Sequence, residues 1–462
     1  LAATFTGSIL YRRWGRSAVS SPVVMWSLAW SGMGLLGLLS LASTDPRVGG
    51  GAGFAVGAVR AAVAIVPLCA ALGFFTPMIL DRWSGGEPGR AGTAYAFNML
   101  GCILGPLASG FLLLPLVGER GAIVALAVPL LLVGLAGSPV PARPRARAFP
   151  AAVTALSIVL VASTRSYEHI FPQREVRRDY TATVIATGEG MGRQLLVNGV
   201  GMTKLTPITK LMAHLPLVHV EGTPRSGLAV CLGMGVTFRS LHSWGLDTTA
   251  VELVPSVPSL FTFYHPGEEA LLHSPRAHIA IDDGRRFLER SHRRYDVITI
   301  DPPPPITTAG ASLLYSREMC ALARSRLRPG GVLQHWLPGG DPTIATAVTR
   351  ALTETFPHVR AFSSIEGWGI HFLASDRPIP RLSPAAAARR LPAAARADLL
   401  EWGPAATAEE QLDLVLRREL SVEGLLQLDP RARALSDDHP VNEYYLLRSI
   451  LRSRREGQAA PR

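Results

Sequence analysis

Acidic residues stand at the ends of three apolar runs in the second half of the chain. Asp301 closes "YDVITID", Glu252 closes "TTAVE", and the pair Asp282–Asp283 closes "AHIAIDD". A carboxylate in such a position can cap the helix that follows it. It can also accept hydrogen bonds from the hydroxyls and amines of a ligand, or take a proton from a reacting group. These acids are the first candidates for chemistry.

A run of four prolines, Pro302–Pro305, follows Asp301 directly. Proline fixes φ and has no N–H group. The run would hold geometry beside the carboxylate without donating to it, which favours Asp301 as a general base. The alternative is a stiff connector that ends the sheet, with Asp301 hydrogen-bonded locally.

The elements that must position these acids alternate between strands and helices. The predicted strands are Gly227–Gly235, Thr248–Val254, the start of Ala277–Arg290, Tyr295–Asp301 and "VLQHWLP", with "HVRAFSSI" and "GWGIHFLAS" as a terminal pair. This alternation predicts a doubly wound, Rossmann-like α/β domain with a parallel sheet. Ligands of such sheets bind beyond the carboxyl ends of the strands.

The residue types at those ends indicate what could bind. Gly233 and Gly235 would let a ligand approach the backbone, although a tight turn explains them equally well. Glu252 could accept hydrogen bonds from ribose hydroxyls, and Asp283 with Gly284 could meet the amine of a base; helix capping is the alternative for both. A phosphate site would need a longer glycine-rich loop and a nearby cation. Several acids indicate instead a positively charged nucleoside, such as a sulfonium compound of the S-adenosyl kind.

A smaller segment precedes this domain. "YTATVIATG" (Tyr180–Gly188) and "RQLLVNGVG" (Arg193–Gly201) predict two strands around the turn "GEGMG". A helix should follow, with Thr206 as its N-cap and Pro207 at its first position. We therefore expect a small β-hairpin subdomain before the Rossmann-like domain.

The chain has 46 basic residues, of which only Lys204 and Lys210 are lysines. Lysine can shift its pKa on burial in a way that arginine cannot. One hypothesis is that these lysines contact a substrate, with Tyr315 in "SLLYSRE" as a further candidate. The alternative is a pair of surface lysines at the start of a helix.

The first part of the chain is nearly free of charge over long stretches. Ser21–Ser43, Gly51–Phe75, Ala94–Leu116 and Gly121–Gly137 each approach the roughly 20 apolar residues that a spanning helix needs. Leu1–Tyr11 is typical of the end of an earlier helix, so we expect that sequence is missing before Leu1. Few ionisable residues lie at membrane depth, which favours an anchor or scaffold over a transporter.

The loop arginines give an orientation. "YRRWGR" (Tyr11–Arg16) and "PARPRAR" (Pro141–Arg147) are basic and are predicted to be cytoplasmic. The uncharged stretch Phe149–Thr164 leaves two alternatives. If this stretch spans the membrane, the rest of the chain lies outside the cytoplasm. If it lies only at the membrane interface, the rest of the chain stays in the cytoplasm. The supply of nucleoside cofactors favours the cytoplasmic side of a bacterial inner membrane.

Composition excludes several classes of function. The net charge is +11, but the arginines are scattered and form no basic stripe, so we expect no nucleic-acid partner. The four cysteines lie far apart without a CxxC pair, which indicates neither a disulfide framework nor a metal site. The expected domains are 1–164, a multi-pass α-helical membrane domain; 165–222, the hairpin and helix; 223–376, the Rossmann-like domain; and 377–462, a helical C-terminal tail.

Several motifs together resemble the spermidine synthase family of aminopropyltransferases, in a form fused to a membrane domain. They are "NGVGMTKLTPITKLMAHLPL", "CLGMGVTFRSLHSWG", "AVELVPSV", "IDDGRRFLER", "YDVITIDPPPP", "SLLYSRE", "EGWGIHFLAS" and, in the apolar region, "FNMLGCILGPLASGFLLLPLVG". The resemblance implies transfer of an aminopropyl group from decarboxylated S-adenosylmethionine to an amine. It implies that Glu252 holds the ribose, that Asp283 and Gly284 meet the adenine, and that Asp301 receives the proton of the amine.

The chain departs from the family pattern at four positions. Met234 replaces an acid of the glycine motif, and Pro304 replaces a second acid three residues after the base. Thr209 and Thr181 replace a histidine and a glutamine. The nucleoside half of the site is kept, whereas the half for the diamine is rebuilt.

Three functions follow as hypotheses. The first is a membrane-anchored aminopropyltransferase that acts on a polyamine or related amine, with the lipid bilayer as partner and no metal. The second is a methyltransferase that uses intact S-adenosylmethionine. The third is a nucleoside-sensing or transport-coupled membrane protein without turnover. Self-association is left open.

Overall fold

The structure, a computed structural model, describes residues 1–15, 22–48, 54–136, 144–303 and 305–451. It divides into two compact units, Leu1–Pro172 with Arg178–Thr183, and Gln173–Arg177 with Val184–Arg462. Each unit is described by itself.

The first unit is helical. Its helices are α1 (Ala2–Leu10), α2 (Pro22–Thr44), α3 (Phe54–Ser84), α4 (Pro88–Ala108), α5 (Leu114–Ala136) and α6 (Pro144–Ser163). Four apolar stretches are long enough to cross a bilayer: Trp26–Thr44, Ala55–Ser84, Pro88–Ala136 and Ala148–Ile170. The predicted spans Ser21–Ser43 and Gly51–Phe75 begin a few residues before the first two of these stretches, and the described parts of the other predicted spans fall within them.

Gly118 breaks the longest of these stretches. Its φ of 68° and ψ of 179° interrupt the helical path within α5. This break separates two predicted spans, Ala94–Leu116 and Gly121–Gly137, because a backbone with positive φ cannot continue a right-handed helix.

Some predictions fall on residues that the structure does not describe. The two basic loops, Tyr11–Arg16 and Pro141–Arg147, lie partly outside the described residues, as do the first residues of the predicted spans that begin at Ser21 and Gly51. Pro304 and the end of the predicted tail, 452–462, also lie outside them.

The second unit opens with a four-stranded sheet where a hairpin was predicted. Its strands are β1 (Arg174–Arg178), β2 (Thr183–Thr187), β3 (Gln194–Val197) and β4 (Val200–Lys204), in that order. The predicted single strand Arg193–Gly201 is wrong because Asn198 and Gly199 turn between β3 and β4, with φ of 50° and 79°. Two positive φ angles at Asn-Gly are typical of a type I′ hairpin turn.

Helix α7 (Pro207–His219) follows the sheet, and its predicted start is confirmed. The Thr206 hydroxyl accepts the Ile208 N–H at 3.2 Å. The helix is fixed by hydroxyls of neighbouring elements, since Thr237 donates to the Thr209 carbonyl at 2.9 Å and Thr299 to the Met212 carbonyl at 3.0 Å.

The remaining strands form one eight-stranded sheet. They are β5 (Ser226–Val230), β6 (Asp247–Glu252), β7 (Ala277–Ile281), β8 (Tyr295–Ile300), β9 (Leu327–Leu337), β10 (His358–Ser363), β11 (Ile370–Ser375) and β12 (Glu419–Leu420). Their order is β12-β10-β11-β9-β8-β5-β6-β7. Strands β7, β6, β5, β8 and β9 are parallel, and β11, β10 and β12 add antiparallel neighbours. The predicted Rossmann-like architecture is confirmed, in a mixed sheet whose order reverses between β5 and β8.

Helices pack against this sheet or against one another around it. They are α8 (Val236–His242), α9 (Phe261–Tyr264), α10 (Glu269–Leu272), α11 (Gly284–Arg290), α12 (Ser312–Tyr315), α13 (Arg317–Ser325), α14 (Pro342–Thr355), α15 (Pro384–Arg389), α16 (Ala393–Leu400), α17 (Ala408–Leu416) and α18 (Val422–Gln427). The core between them includes fully buried Leu228, Ile298, Leu333 and Phe372.

The segment after β11 was predicted as a helical tail, but it belongs to the compact second unit. It adds β12 to the sheet, and its apolar side chains Leu399, Leu412 and Val415 are buried. Burial of these side chains removes apolar surface from water, which holds the segment against the unit.

Candidate active site

A cavity of about 370 Å³ lies at the carboxyl ends of β5, β6 and β8. The four-stranded sheet supplies Gln194, Leu195, Met202 and Thr203, and α7 supplies Thr209 and Met212. The point where the strand order reverses is the expected binding place of a doubly wound sheet. The volume suits a nucleoside-sized ligand.

Asp301 lies at the floor of this cavity, next to Pro302 and Pro303. Its backbone N–H donates to the Val230 carbonyl at 3.2 Å, which fixes the residue at the end of β8. Among the described residues no donor contacts its carboxylate. Burial raises the pKa of Asp301 to about 7, so this acid can exchange a proton near neutral pH.

Glu252 lines the cavity from the end of β6. Its Oε2 accepts the N–H groups of Leu232 at 3.1 Å and Gly233 at 3.3 Å, and its Oε1 accepts the N–H of Val254 at 3.0 Å. Burial raises the pKa of Glu252, and these backbone bonds offset part of that rise. Most of the hydrogen bonds that this carboxylate accepts therefore hold the end of β5. The prediction that Glu252 binds ribose did not include this structural role.

Cys231 lies at the point where the acids converge. Burial raises the pKa of its thiol, and the charges of Glu252, Asp301 and Asp283 raise it further. Its φ of 75° is unusual for a residue with a side chain, and such backbone strain is concentrated at functional sites. The three predicted carboxylates thus share one neighbourhood, although no sequence signal singled out Cys231 itself.

The glycines have separate structural reasons. Gly235 begins α8 with a φ of 80°, and a Cβ there would lie 2.5 Å from the Phe261 ring. A Cβ on Gly284 would lie 2.4 Å from Val230, so this glycine allows α11 to pack on β5. Of the predicted glycines, Gly233 alone is among the described residues that line the cavity.

The predicted acid pair lies beside the cavity rather than in its wall. The Asp283 carboxylate accepts the Arg286 N–H at 2.9 Å and caps α11. Asp282 accepts the Asp283 N–H at 2.9 Å and lies 3.8 Å from Arg290. Capping, the alternative considered for this pair, is what the described contacts show.

The three predicted substrate residues are in different surroundings. Lys204 is exposed on β4 and lines the cavity. Lys210 is fully buried and bonded to Asp398 and Glu401, so the expectation that it is a surface lysine is wrong. Tyr315 is also fully buried, against His335, and lies outside the cavity wall.

Two tryptophans of the cavity wall, and the carboxylate of Glu366 behind them, were not predicted as part of the site. Trp336 and Trp368 line the cavity, with ring centroids 5.6 Å apart in an edge-to-face arrangement. Trp368 Nε1 donates to Glu366 at 3.0 Å, and the Thr206 hydroxyl donates to the other carboxylate oxygen. Among the described residues no cation pairs with Glu366. The indication in the sequence was the position of Trp336 at the carboxyl end of β9.

A second opening of the described chain has a different character. A groove of about 800 Å³ near the amino ends of β8 and β9 is lined by charged side chains that pair with one another, as Arg324 does with Asp376 at 2.6 Å. Within the described ranges, no group of three or more His, Cys, Asp or Glu could hold a metal ion.

Several known proteins are similar in sequence to this part of the chain. The family model of the spermine/spermidine synthase domain matches residues 206–362. Polyamine aminopropyltransferase 2 of Hyperthermus butylicus is 30% identical over 210 residues, which cover 41% of this chain and 67% of that protein. Polyamine aminopropyltransferase 2 of Pseudomonas aeruginosa is 31% identical over 175 residues, 35% of this chain and 49% of that protein.

Solved structures show a weaker overall similarity. A probable spermidine synthase from Corynebacterium glutamicum is 16% identical, with a TM-score of 0.41 over 58% of this chain and 97% of that one. Spermidine synthase from Thermotoga maritima is 21% identical, with a TM-score of 0.37 over 45% of this chain and 71% of that one.

The match thus spans about two thirds of the Hyperthermus relative and about half of the Pseudomonas one. The family model covers α7 and the strands that carry Glu252 and Asp301. On this evidence the chain belongs to the spermine/spermidine synthase family, a family of transferases.

Proposed function

We propose that the second unit transfers an aminopropyl group from decarboxylated S-adenosylmethionine to an amine. The observation that carries the proposal is Asp301, a carboxylate with a pKa of about 7 at the floor of the cavity. An alkylamine is protonated at neutral pH, since its pKa is about 10. Asp301 would take that proton, because a base that titrates near the working pH is most effective.

The transfer step itself depends mainly on how the two reactants are positioned. The amine nitrogen forms a bond to the carbon attached to the sulfonium, and the carbon–sulfur bond breaks. Its electron pair stays on sulfur, which leaves as the neutral thioether of methylthioadenosine and needs no acid. Holding two reactants in line supplies most of such a rate enhancement. The rigid Pro302 and Pro303 beside Asp301 support that placement.

Product analysis tests the proposal. The purified full chain is incubated with decarboxylated S-adenosylmethionine and a panel of amines, and the nucleosides are separated by chromatography. Methylthioadenosine formed only when an amine is present supports aminopropyl transfer. The absence of that product with every amine tested contradicts it.

One observation favours a second candidate, methyl transfer from intact S-adenosylmethionine. Lys204 lies in the cavity wall, and among the described residues no carboxylate pairs with it. Its ammonium could bind the carboxylate that only the intact cofactor carries. The same assay with S-adenosylmethionine distinguishes the two functions, because methyl transfer yields S-adenosylhomocysteine.

For the amine acceptor we propose that Glu366 binds a second, non-reacting ammonium group. Its carboxylate lies next to the cavity wall, where it is oriented by the lining residues Thr206 and Trp368. An ammonium is attracted both by a carboxylate and by the faces of aromatic rings. A diamine or polyamine would then be preferred over a simple alkylamine.

Replacing Glu366 by Gln should raise the KM for 1,4-diaminobutane by roughly 10-fold, because a charge-assisted hydrogen bond is lost. The KM for butylamine, which has no second ammonium, should change less than twofold. Both values come from initial-rate measurements at saturating donor. An equal effect on the two amines would refute the assignment of Glu366.

For the first unit we propose insertion in a lipid bilayer with the catalytic unit on the cytoplasmic side. The stretch Pro88–Ala136 exposes large apolar side chains such as Phe97, Ile103 and Phe111. An exposed apolar surface of this extent is typical of a membrane contact. The cytoplasm supplies the nucleoside donor.

The full chain produced in a bacterial host should therefore sediment with membranes. Detergent should release it, whereas alkaline carbonate should not, because that treatment removes only peripheral proteins. Protease added to inverted vesicles should cleave the catalytic unit, and protease added to intact spheroplasts should leave it whole. Release by carbonate would contradict the insertion, and cleavage in spheroplasts would contradict the orientation.

A further inference from the structure

A buried charged cluster links α7 to the segment that contains α16. The Lys210 ammonium lies 2.8 Å from Asp398 and 2.7 Å from Glu401. It also lies 4.2 Å from the centre of the Trp402 ring. Lys210 is fully buried, so it cannot exchange these partners for water.

The second oxygen of Asp398 extends the cluster. It accepts His214 Nε2–H at 2.8 Å and the Ser240 hydroxyl at 2.6 Å. Trp244 Nε1 donates to His214 Nδ1 at 2.9 Å, which leaves Nε2 of that ring to donate to Asp398. Burial alone would raise the pKa of Asp398, but the contacts with His214 and Lys210 lower it below its ordinary value. With this many partners, the Asp398 carboxylate has one favoured orientation. Because Asp398 belongs to α16, these contacts also fix the position of that helix.

Trp402 connects this cluster to the wall of the cavity through His265 and Met234. Its ring stacks on His265 with centroids 6.2 Å apart and an interplanar angle of 13°. His265 Nε2–H donates to the Met234 carbonyl at 2.9 Å. Burial lowers the pKa of His265 to about 4, so the ring is neutral at neutral pH and keeps a single N–H for this bond.

Met234 is the middle residue of the glycine turn, Gly233–Gly235. Both glycines have positive φ, so the turn has little intrinsic preference for one conformation. Glu252 holds its N–H side through Gly233, and His265 holds its carbonyl side through Met234. Gly233 lines the cavity, so a shift of the turn changes the shape of the site.

We propose that Trp402 is a positioning residue for the nucleoside, acting through His265 on the glycine turn. The inference rests on the proposed function for the identity of the nucleoside. It assigns the segment after β11 to the donor half of the site, whereas the sequence indicated only a tail.

The test replaces Trp402 by Ala in the full chain in detergent. We expect the Kd for methylthioadenosine, measured by calorimetry, and the KM for the donor to rise by about 10-fold. The KM for the amine and the pH dependence of the rate should stay unchanged. Trp402→Phe should restore tight binding, since it keeps an aromatic ring against His265. Glu409→Ala, an exposed change on α17, is the matched control.

A second variant keeps the test decisive if Trp402→Ala does not fold. His265→Phe keeps the stacked ring but removes the N–H that bonds Met234, and it should weaken nucleoside binding in the same direction. A lower melting temperature with an unchanged Kd in either folded variant would overturn the inference, because it indicates a structural role only.

The calorimetric probe separates this inference from the proposed reaction. Binding of methylthioadenosine is measured without turnover, and S-adenosylhomocysteine takes its place if the parent chain binds that nucleoside instead. A parent that binds a nucleoside but transfers no aminopropyl group contradicts the proposed function alone. A parent that binds neither nucleoside and transfers no aminopropyl group overturns both.

Discussion

Replacing Asp301 by Asn should lower kcat by about 10²- to 10⁴-fold, because the amide cannot take the proton of the attacking amine. The replacement keeps the shape of the side chain at the end of β8. The Kd for methylthioadenosine should therefore change little. Single-turnover measurements at saturating substrates would report the loss in the chemical step.

The pH dependence of the reaction rate should also report the ionisation of Asp301. The pKa of Asp301 is raised to about 7, so kcat/KM should fall as the pH drops below about 7 and the base becomes protonated. A bound cationic donor favours the charged carboxylate, so the corresponding limb of kcat should lie at lower pH. Asp301→Asn should abolish this limb.

Stability provides the control for Asp301. A carboxyl whose pKa is raised on folding destabilises the folded state as the pH rises from its ordinary value of 3.8 towards about 7. Above that range the buried charge is fully present, and Asn removes it. The variant should therefore be at least as resistant to urea as the parent at pH 8. Retained turnover in a folded Asp301→Asn chain would exclude Asp301 as the base.

Replacing Glu252 by Gln should raise the KM for the donor roughly 10- to 100-fold, because hydrogen bonds to a charged group are lost. One oxygen of Glu252 accepts the N–H groups of Leu232 and Gly233, and the other accepts the N–H of Val254. In the variant, the NH₂ group of Gln would point at one of these backbone N–H groups, and two donors cannot form a hydrogen bond. The end of β5 should loosen, and nucleoside binding should weaken with it.

The matched control is Glu289→Gln, an exposed change on α11 that should leave donor binding unaltered. Calorimetry with methylthioadenosine separates a binding effect from a catalytic one. A donor KM within twofold of the parent in Glu252→Gln would show that the carboxylate is dispensable for the nucleoside.

The position of the acids could be predicted from sequence because it depends on local pattern. An apolar run that ends on an acid, as at Glu252 and Asp301, predicts both a buried strand and the edge at which it stops. The start of α7 was equally readable, since Thr206 and Pro207 form a local capping signal.

The partners of Lys210 could not be predicted in this way. Asp398 lies 188 residues further along the chain, and no local pattern links the two. The lysine is buried because this distant pairing compensates its charge, which periodicity alone cannot indicate. The contact of Glu366 with the cavity wall has the same origin, because its partner Thr206 is 160 residues away from it.

The turn between β3 and β4 was missed for a different reason. Asn198–Gly199 is a strong two-residue turn signal. The prediction extended one strand through this signal, where the chain turns back. As a turn, Asn198–Gly199 predicts β4 as a separate strand of that sheet.

The clustering of Glu252, Asp283 and Asp301 around Cys231 has a consequence for the proposed reaction. A sulfonium donor would be attracted by these acidic groups. Once the alkyl group had moved, the sulfur would be neutral and that attraction would disappear. The spent nucleoside would then be held less firmly than the donor that must replace it.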